Sequence, residues 1–300
     1  MLQKIPTDKK KNLSANQKKS LTSWLFLLPS LFGVLLFFVV PFFVVIYYSF
    51  INNPIQKRFV GFNNFVNVWN NAAFRLAGLN SLRFSLIAVP LAVVLSLFLA
   101  AVMESRIPGK SYFRSFFLSP LMVPTASIVL IWQVLFHYNG LLNNVLMKFG
   151  VLKIDWLKSD YAPVVIVILF LWKNLGYNMI LFMAALSSIP KDLLEVAALE
   201  HANKFQVFWY VKLRYMSATV LFVTIMSVIN SFKVFREVYL MTGDYPYNSL
   251  YMLQHFMNNT FSSLDYQKLS AAAIIMFIVV SVLVLIMFSV ENFYGKDVEG

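Results

Sequence analysis

Six long apolar runs alternate with polar segments along the chain, at about 24–50, 82–103, 113–136, 162–186, 218–241 and 269–293. A helix needs about 20 apolar residues to cross the hydrocarbon core of a bilayer, and each run approaches or exceeds that length. The pattern predicts an all-α integral membrane fold with six transmembrane helices in one membrane domain, residues 24–293. A basic tail (1–23) precedes it and a short charged tail (294–300) follows. The first run is too long for a signal-peptide core, and no small-residue cleavage site follows it, so it reads as a retained helix. Pro29 and Pro41 are candidate kinks in it. Between the first two runs, Phe62, Phe65, Val66, Trp69, Ala73 and Leu76 recur at helical spacing and predict one amphipathic helix at the interface.

One polar island, 188–213, separates the fourth and fifth runs. Pro190 suits the first turn of a helix, and Asp192 suits the positive end of its dipole. Leu194, Ala197, Ala198 and His201 share one face with Glu195 beside it, and the small alanines permit close approach of another surface. Phe205, Phe208, Trp209 and Lys212 repeat the spacing on a second segment. On residues alone, a surface-lying connecting helix explains the island as well as any functional reading does.

Composition strengthens the membrane reading. The chain of 300 residues is 59% hydrophobic and 13% charged, more apolar surface than a soluble domain hides. It has no cysteine, which excludes disulfides, thiolate metal sites and cysteine catalysis. The net charge of +12 does not require nucleic acid, because the basic residues are spread through loops and suit an anionic leaflet. With the N-terminus inside, the inner segments hold fourteen of the 25 Lys and Arg and the outer loops seven, which places both termini and the 188–213 loop inside.

Candidate chemistry is sparse in the loops and concentrated in the spans. His137, His201 and His255 lie in different loops with no metal-ligand spacing. Gly109-Lys110-Ser111 resembles the end of a phosphate loop, but the required first glycine is Glu104, so no ATP site is expected on this chain. Charged and amide side chains in a span face a cavity or a partner, since burial in lipid costs at least about 2.5–3.5 kcal/mol. Asn174, Tyr177 and Asn178 share a face of the fourth span, with Gly176 permitting close backbone approach. On the fifth span Asn230 and Lys233 share a face, and Lys233, Arg236 and Glu237 are spaced for a local network. Helix–helix hydrogen bonding is the plainer use of such residues; contact with a polar solute is the functional one.

Glu195, with Ala197 and Ala198 after one offset position, and then Glu200, Ala202, Phe208, Val211 and Leu213 in register, resemble the loop that marks permease subunits of ATP-binding-cassette importers. The island departs at Val196, His201 and Arg214, where that pattern has Ala, Gly and Pro. Residues 59–65, 172–179 and 230–243 are similar to the carbohydrate-uptake branch of the same family. The resemblance implies a cytoplasmic coupling helix between the fourth and fifth transmembrane helices, with Glu195, Ala197, Ala198, Glu200, His201 and Ala202 contacting an ATPase. It implies a second homologous permease in a heterodimer, two ATPase subunits holding ATP and Mg, and an extracellular solute-binding protein. No cofactor is expected on this chain, and no catalytic activity. The implied location is the bacterial inner membrane, the implied function sugar or oligosaccharide import by alternating access. The implied solute pathway includes Trp132, Gly176, Tyr177, Asn230 and Lys233, beside Asn174, Asn178 and Arg236 from the polar pattern. Open alternatives are a permease of this superfamily for a non-sugar solute and an ion-coupled secondary carrier.

Overall fold

The computed structural model describes residues 15–104 and 108–295. The first part of the basic tail, three residues of the turn that follows Glu104, and the end of the C-terminal tail lie outside the described residues. In order, the helices are α1 (Ala15–Val34), α2 (Val40–Ser49), α3 (Asn63–Trp69), α4 (Ala72–Glu104), α5 (Lys110–Met122), α6 (Thr125–Phe136), α7 (Leu141–Lys148), α8 (Ala162–Ser187), α9 (Lys191–Leu199), α10 (Lys204–Gln206), α11 (Leu213–Tyr215), α12 (Ser217–Lys233), α13 (Phe235–Thr242), α14 (Leu253–Ser262) and α15 (Tyr266–Gly295). Pairing of extended backbone among the described residues is limited to one isolated bridge, Ile51 with Phe59. Six segments are long and apolar enough to cross a membrane: Phe26–Ser49, Ala72–Glu104, Thr125–Lys148, Ala162–Ser187, Ser217–Thr242 and Tyr266–Asn292.

Breaks in the helices have local causes. A π-helical turn, Leu35–Val39, joins α1 to α2. Pro41 lies in the first turn of α2 and lacks the N–H that a regular ladder requires, so a widened turn just before it is physically apt. The amphipathic stretch expected as one helix is two. The Asn71 carboxamide accepts from the N–H groups of Ala73 (3.0 Å) and Phe74 (3.1 Å), which caps α4 and ends α3 before it. The third apolar run divides at Val123, which is extended ahead of Pro124, as the residue before a proline prefers. The fifth divides at Val234, between α12 and α13.

The centre of the bundle is α4 against α8, the most extensive helix pair. Helix α12 packs on α4, α5 packs on α8, and α15 runs beside α2, α3 and α12. One buried cluster joins Phe84, Ala88, Ile128, Trp132, Ile166, Leu169 and Val238. A second, around Met103, Met179, Phe182, Met216 and Val223, continues it towards the 188–213 loop. Gly176 is the point of closest approach between α8 and α5: a β-carbon there would overlap the Phe117 carbonyl. The small residue lets the backbones meet, as is common between helices in lipid.

The connection from α6 to α8 is organised on one side chain. Asn143, fully buried, donates to the carbonyls of Tyr138 (2.9 Å) and Ile154 (2.8 Å). Its oxygen accepts from the Ile154 N–H (3.2 Å) and the Trp156 indole (3.0 Å).

Candidate functional site

Helices α8, α12 and α13 enclose a cavity of about 710 Å³ with contributions from α5, α6 and α14. Its polar lining is Thr125, Lys173, Asn174, Asn230, Lys233, Arg236, Glu237 and Gln254, and its aromatic lining Phe170, Phe235 and Tyr239. Four of the expected pathway residues, Asn174, Asn230, Lys233 and Arg236, therefore share one chamber. Asn230 and Lys233 come from the end of α12 and Arg236 from the start of α13, on either side of Val234, and Asn174 from α8.

The amides are held in fixed orientations. Asn230 donates to the Asn174 oxygen at 2.9 Å, and Asn174 donates to the Phe170 carbonyl at 2.8 Å. Glu237, 5% exposed, pairs with Lys173 of α8. In place of the local network expected among Lys233, Arg236 and Glu237, the carboxylate makes this ion pair between helices. The break at Val234 interrupts the regular turn that would join positions 233 and 237, and Lys173 is the cation within reach of the carboxylate. Lys173 and Glu237 belong to the same wall, as do Thr125 and Gln254, which the polar pattern of the spans gave no reason to select.

The other expected residues lie elsewhere. Trp132 is buried in the core, stacked on Phe136 at 5.1 Å between ring centroids and tilted against Trp172. Gly176 meets α5. Asn178 is buried and donates to the Ser227 hydroxyl at 3.0 Å, tying α8 to α12. Tyr177 is exposed and is not among the residues lining this cavity.

The 188–213 loop folds back on itself: α9 packs against a π-helical turn, Val207–Lys212. Asn203 and Gln206 form a capping box, with both reciprocal bonds at 2.9 Å, which starts α10. The turn after α9 is complete without glycine. His201 takes φ +54°, its N–H donates to the Ala198 carbonyl at 3.1 Å, and the Ala202 N–H donates to the Ala197 carbonyl at 3.0 Å. Those two bonds are a Schellman termination, in which the left-handed residue is usually glycine. The alanines divide: Ala197 is buried and Ala198 exposed, while Leu194 packs on the core cluster. Glu195, Glu200 and His201 are exposed and Ala202 half-buried. Leu193, Val196 and Leu199 form an exposed apolar line along α9, with Leu199 79% exposed. At the other end of the loop, Lys212 bridges to both carboxylate oxygens of Glu104 at the end of α4, at 2.7 and 2.6 Å.

Among the described residues there is no cluster of His, Asp and Glu with the geometry of a metal site. His255 is fully buried on α14: its Nδ1 accepts from the Met252 N–H at 3.2 Å, and the Phe235 ring lies edge-on at 4.6 Å. Burial pushes its pKa down to about 4, with Asp244 opposing the shift.

Residues 92–299 match the family model described as binding-protein-dependent transport system inner membrane component. The chain is 28% identical over 276 residues to the trehalose/maltose transport system permease protein MalF of Thermococcus litoralis, covering 90% of this chain and 93% of that one. It is 29% identical to the multiple sugar-binding transport system permease protein MsmF of Streptococcus mutans, over 86% of this chain and 91% of that one. In fold, it is similar to a chain of a bacterial ABC transporter involved in the import of the acidic polysaccharide alginate. That likeness has a TM-score of 0.80 at 18% identity, covering 92% of this chain and 97% of the other.

Proposed function

The chain belongs to the family of binding-protein-dependent transport system inner membrane components, and from that premise we propose that it is the permease subunit of an ATP-driven importer carrying a sugar or oligosaccharide across the inner membrane. The observation that carries the reading is the cavity formed by α8, α12 and α13 inside a bundle of apolar helices. Carboxamides held by Asn174 and Asn230 suit sugar hydroxyls, and aromatic side chains at Phe235 and Tyr239 suit the apolar faces of sugar rings. The relatives named for trehalose, maltose and multiple sugars support that solute class.

In this reading both termini and the 188–213 loop face the cytoplasm, and α9 is the coupling helix. Its line of Leu193, Val196 and Leu199 is an exposed apolar helix face, the shape that seats in a groove of a partner. Glu195, Ala198, Glu200 and His201 are exposed on or just beyond α9, where the ATPase contacts would be made. Nucleotide drives closure of two ATPase subunits, and the closure moves α9. The Lys212–Glu104 bridge passes the displacement to α4, which packs most extensively on α8 and so on the cavity wall. A second, homologous permease closes the open side of the chamber, and an external solute-binding protein delivers the sugar. Each ligand acts by favouring one of two states of the scaffold.

The test is reconstitution in proteoliposomes of this chain with its co-purifying subunits. Import that requires both ATP and the binding protein supports the proposal. Solute movement by the purified chain alone, or cysteine labelling of Ala198→Cys from the outer face, rejects it.

A further inference from the structure

The cavity wall is cationic. Among its lining residues Lys173, Lys233 and Arg236 face one carboxylate, Glu237, and Lys173 already pairs with it. Lys233 and Arg236 make no ion pair with any described residue. Both are exposed to the chamber, one on each side of the Val234 break, so the wall presents two adjacent uncompensated positive charges. In an apolar bundle such charges are costly unless an anion or water answers them. Of the neutral groups beside them, the Asn230 oxygen has no hydrogen-bond partner among the described residues and is left for a hydroxyl.

We propose that the cavity selects an anionic saccharide, a uronate-bearing oligosaccharide, with Lys233 and Arg236 holding its carboxylates while Asn230 takes a ring hydroxyl. This rests on the reading of the cavity as the solute pathway. A carboxylate flanked by both cations gains charge-assisted hydrogen bonds that a neutral sugar of the same shape lacks. Arg236 offers a planar fork that matches a carboxylate, and Lys233 a compact charge beside it. Glu237 does not repel the guest, because Lys173 neutralises it.

The experiment is ATP-dependent uptake by the whole reconstituted importer. The two probes are an oligogalacturonate and its methyl ester, which share ring, linkage and length and differ in charge and in one methyl group per esterified residue. The variants are Lys233→Met and Arg236→Gln, with Lys233→Arg and Arg236→Lys as charge-preserving controls. Assembly is checked for each by co-purification. The expected result is uptake of the acid by the wild type, reduced roughly tenfold or more in each neutral variant and largely kept in the charge-preserving ones. Equal uptake of acid and ester by the wild type overturns the proposal, as does acid uptake unchanged by Lys233→Met and Arg236→Gln. Preferential import of neutral oligosaccharides overturns it too, yet leaves the importer reading intact. Absence of ATP-dependent import of any saccharide rejects both.

Discussion

Lys173 of α8 and Glu237 of α13, far apart in sequence, form an ion pair in the wall of the cavity. Glu237 is buried, so its charge depends on Lys173 for compensation. Lys173→Met leaves an unpaired carboxylate, at a cost of about 3–5 kcal/mol. Lys173→Met combined with Glu237→Leu removes both charges and should recover much of that loss. Thermal unfolding of the detergent-solubilised protein measures it: the double variant should melt above the single one.

Gly176 sets the distance between α8 and α5. Gly176→Ala places a methyl group against the Phe117 carbonyl, and backbone has little room to yield. The expected penalty is about 1–3 kcal/mol or more, seen as a lower melting temperature with little change in helix content.

His201 holds a left-handed turn that costs a side-chain-bearing residue about 1–2 kcal/mol. His201→Gly should tighten the turn by about 1 kcal/mol, and His201→Val should loosen it. Amide hydrogen exchange at Glu200 and Ala202 reports both, slower in the glycine variant and faster in the valine variant.

Glu195 is exposed on α9. Glu195→Lys should leave folding and membrane insertion unchanged while the co-purifying ATPase is lost and uptake falls. Retention of the ATPase at wild-type stoichiometry removes Glu195 from the docking surface.

His255 predicts a pH dependence. Its folded pKa of about 4 lies below the ordinary 6.5 because burial disfavours the imidazolium. Between those values the unfolded chain binds the proton and the folded chain does not, so stability falls as pH drops from about 6.5 to about 4. The slope approaches roughly 1.4 kcal/mol per pH unit from this group. His255→Gln should flatten the melting temperature across that window, whereas an unchanged slope assigns the effect to other groups.

How much of this is legible in the sequence depends on whether the partner is local. Six apolar helical segments can be read directly, because hydropathy averages over a whole turn and lipid tolerates few exceptions. The start of α4 cannot. Asn80, Ser81 and Arg83 look like the end of a loop, yet α4 runs through them from Ala72. Asn80 donates to the carbonyls of Asn248 and Tyr251, and Ser81 accepts from the Leu253 N–H, so two of those polar groups are answered by a distant segment. The ion pair of Glu237 with Lys173 is hidden for the same reason, while Lys233 is merely nearer in sequence. The Asn203–Gln206 capping box is a local signal, an Asn three residues ahead of a Gln, and is legible without any distant partner. Asn174, Asn230, Lys233 and Arg236 are selectable by polarity alone, but that they share a chamber depends on how α8 packs beside α12 and α13, a long-range relationship.

Asn143 answers two carbonyls with its nitrogen and two donors with its oxygen, so neither end of the carboxamide can be exchanged. Conversion of that amide to an acid, by mutation or by chemical ageing, would turn oxygen lone pairs towards the carbonyls of Tyr138 and Ile154. The connection between α6 and α8 would then come apart as one piece, although nothing in its volume had changed.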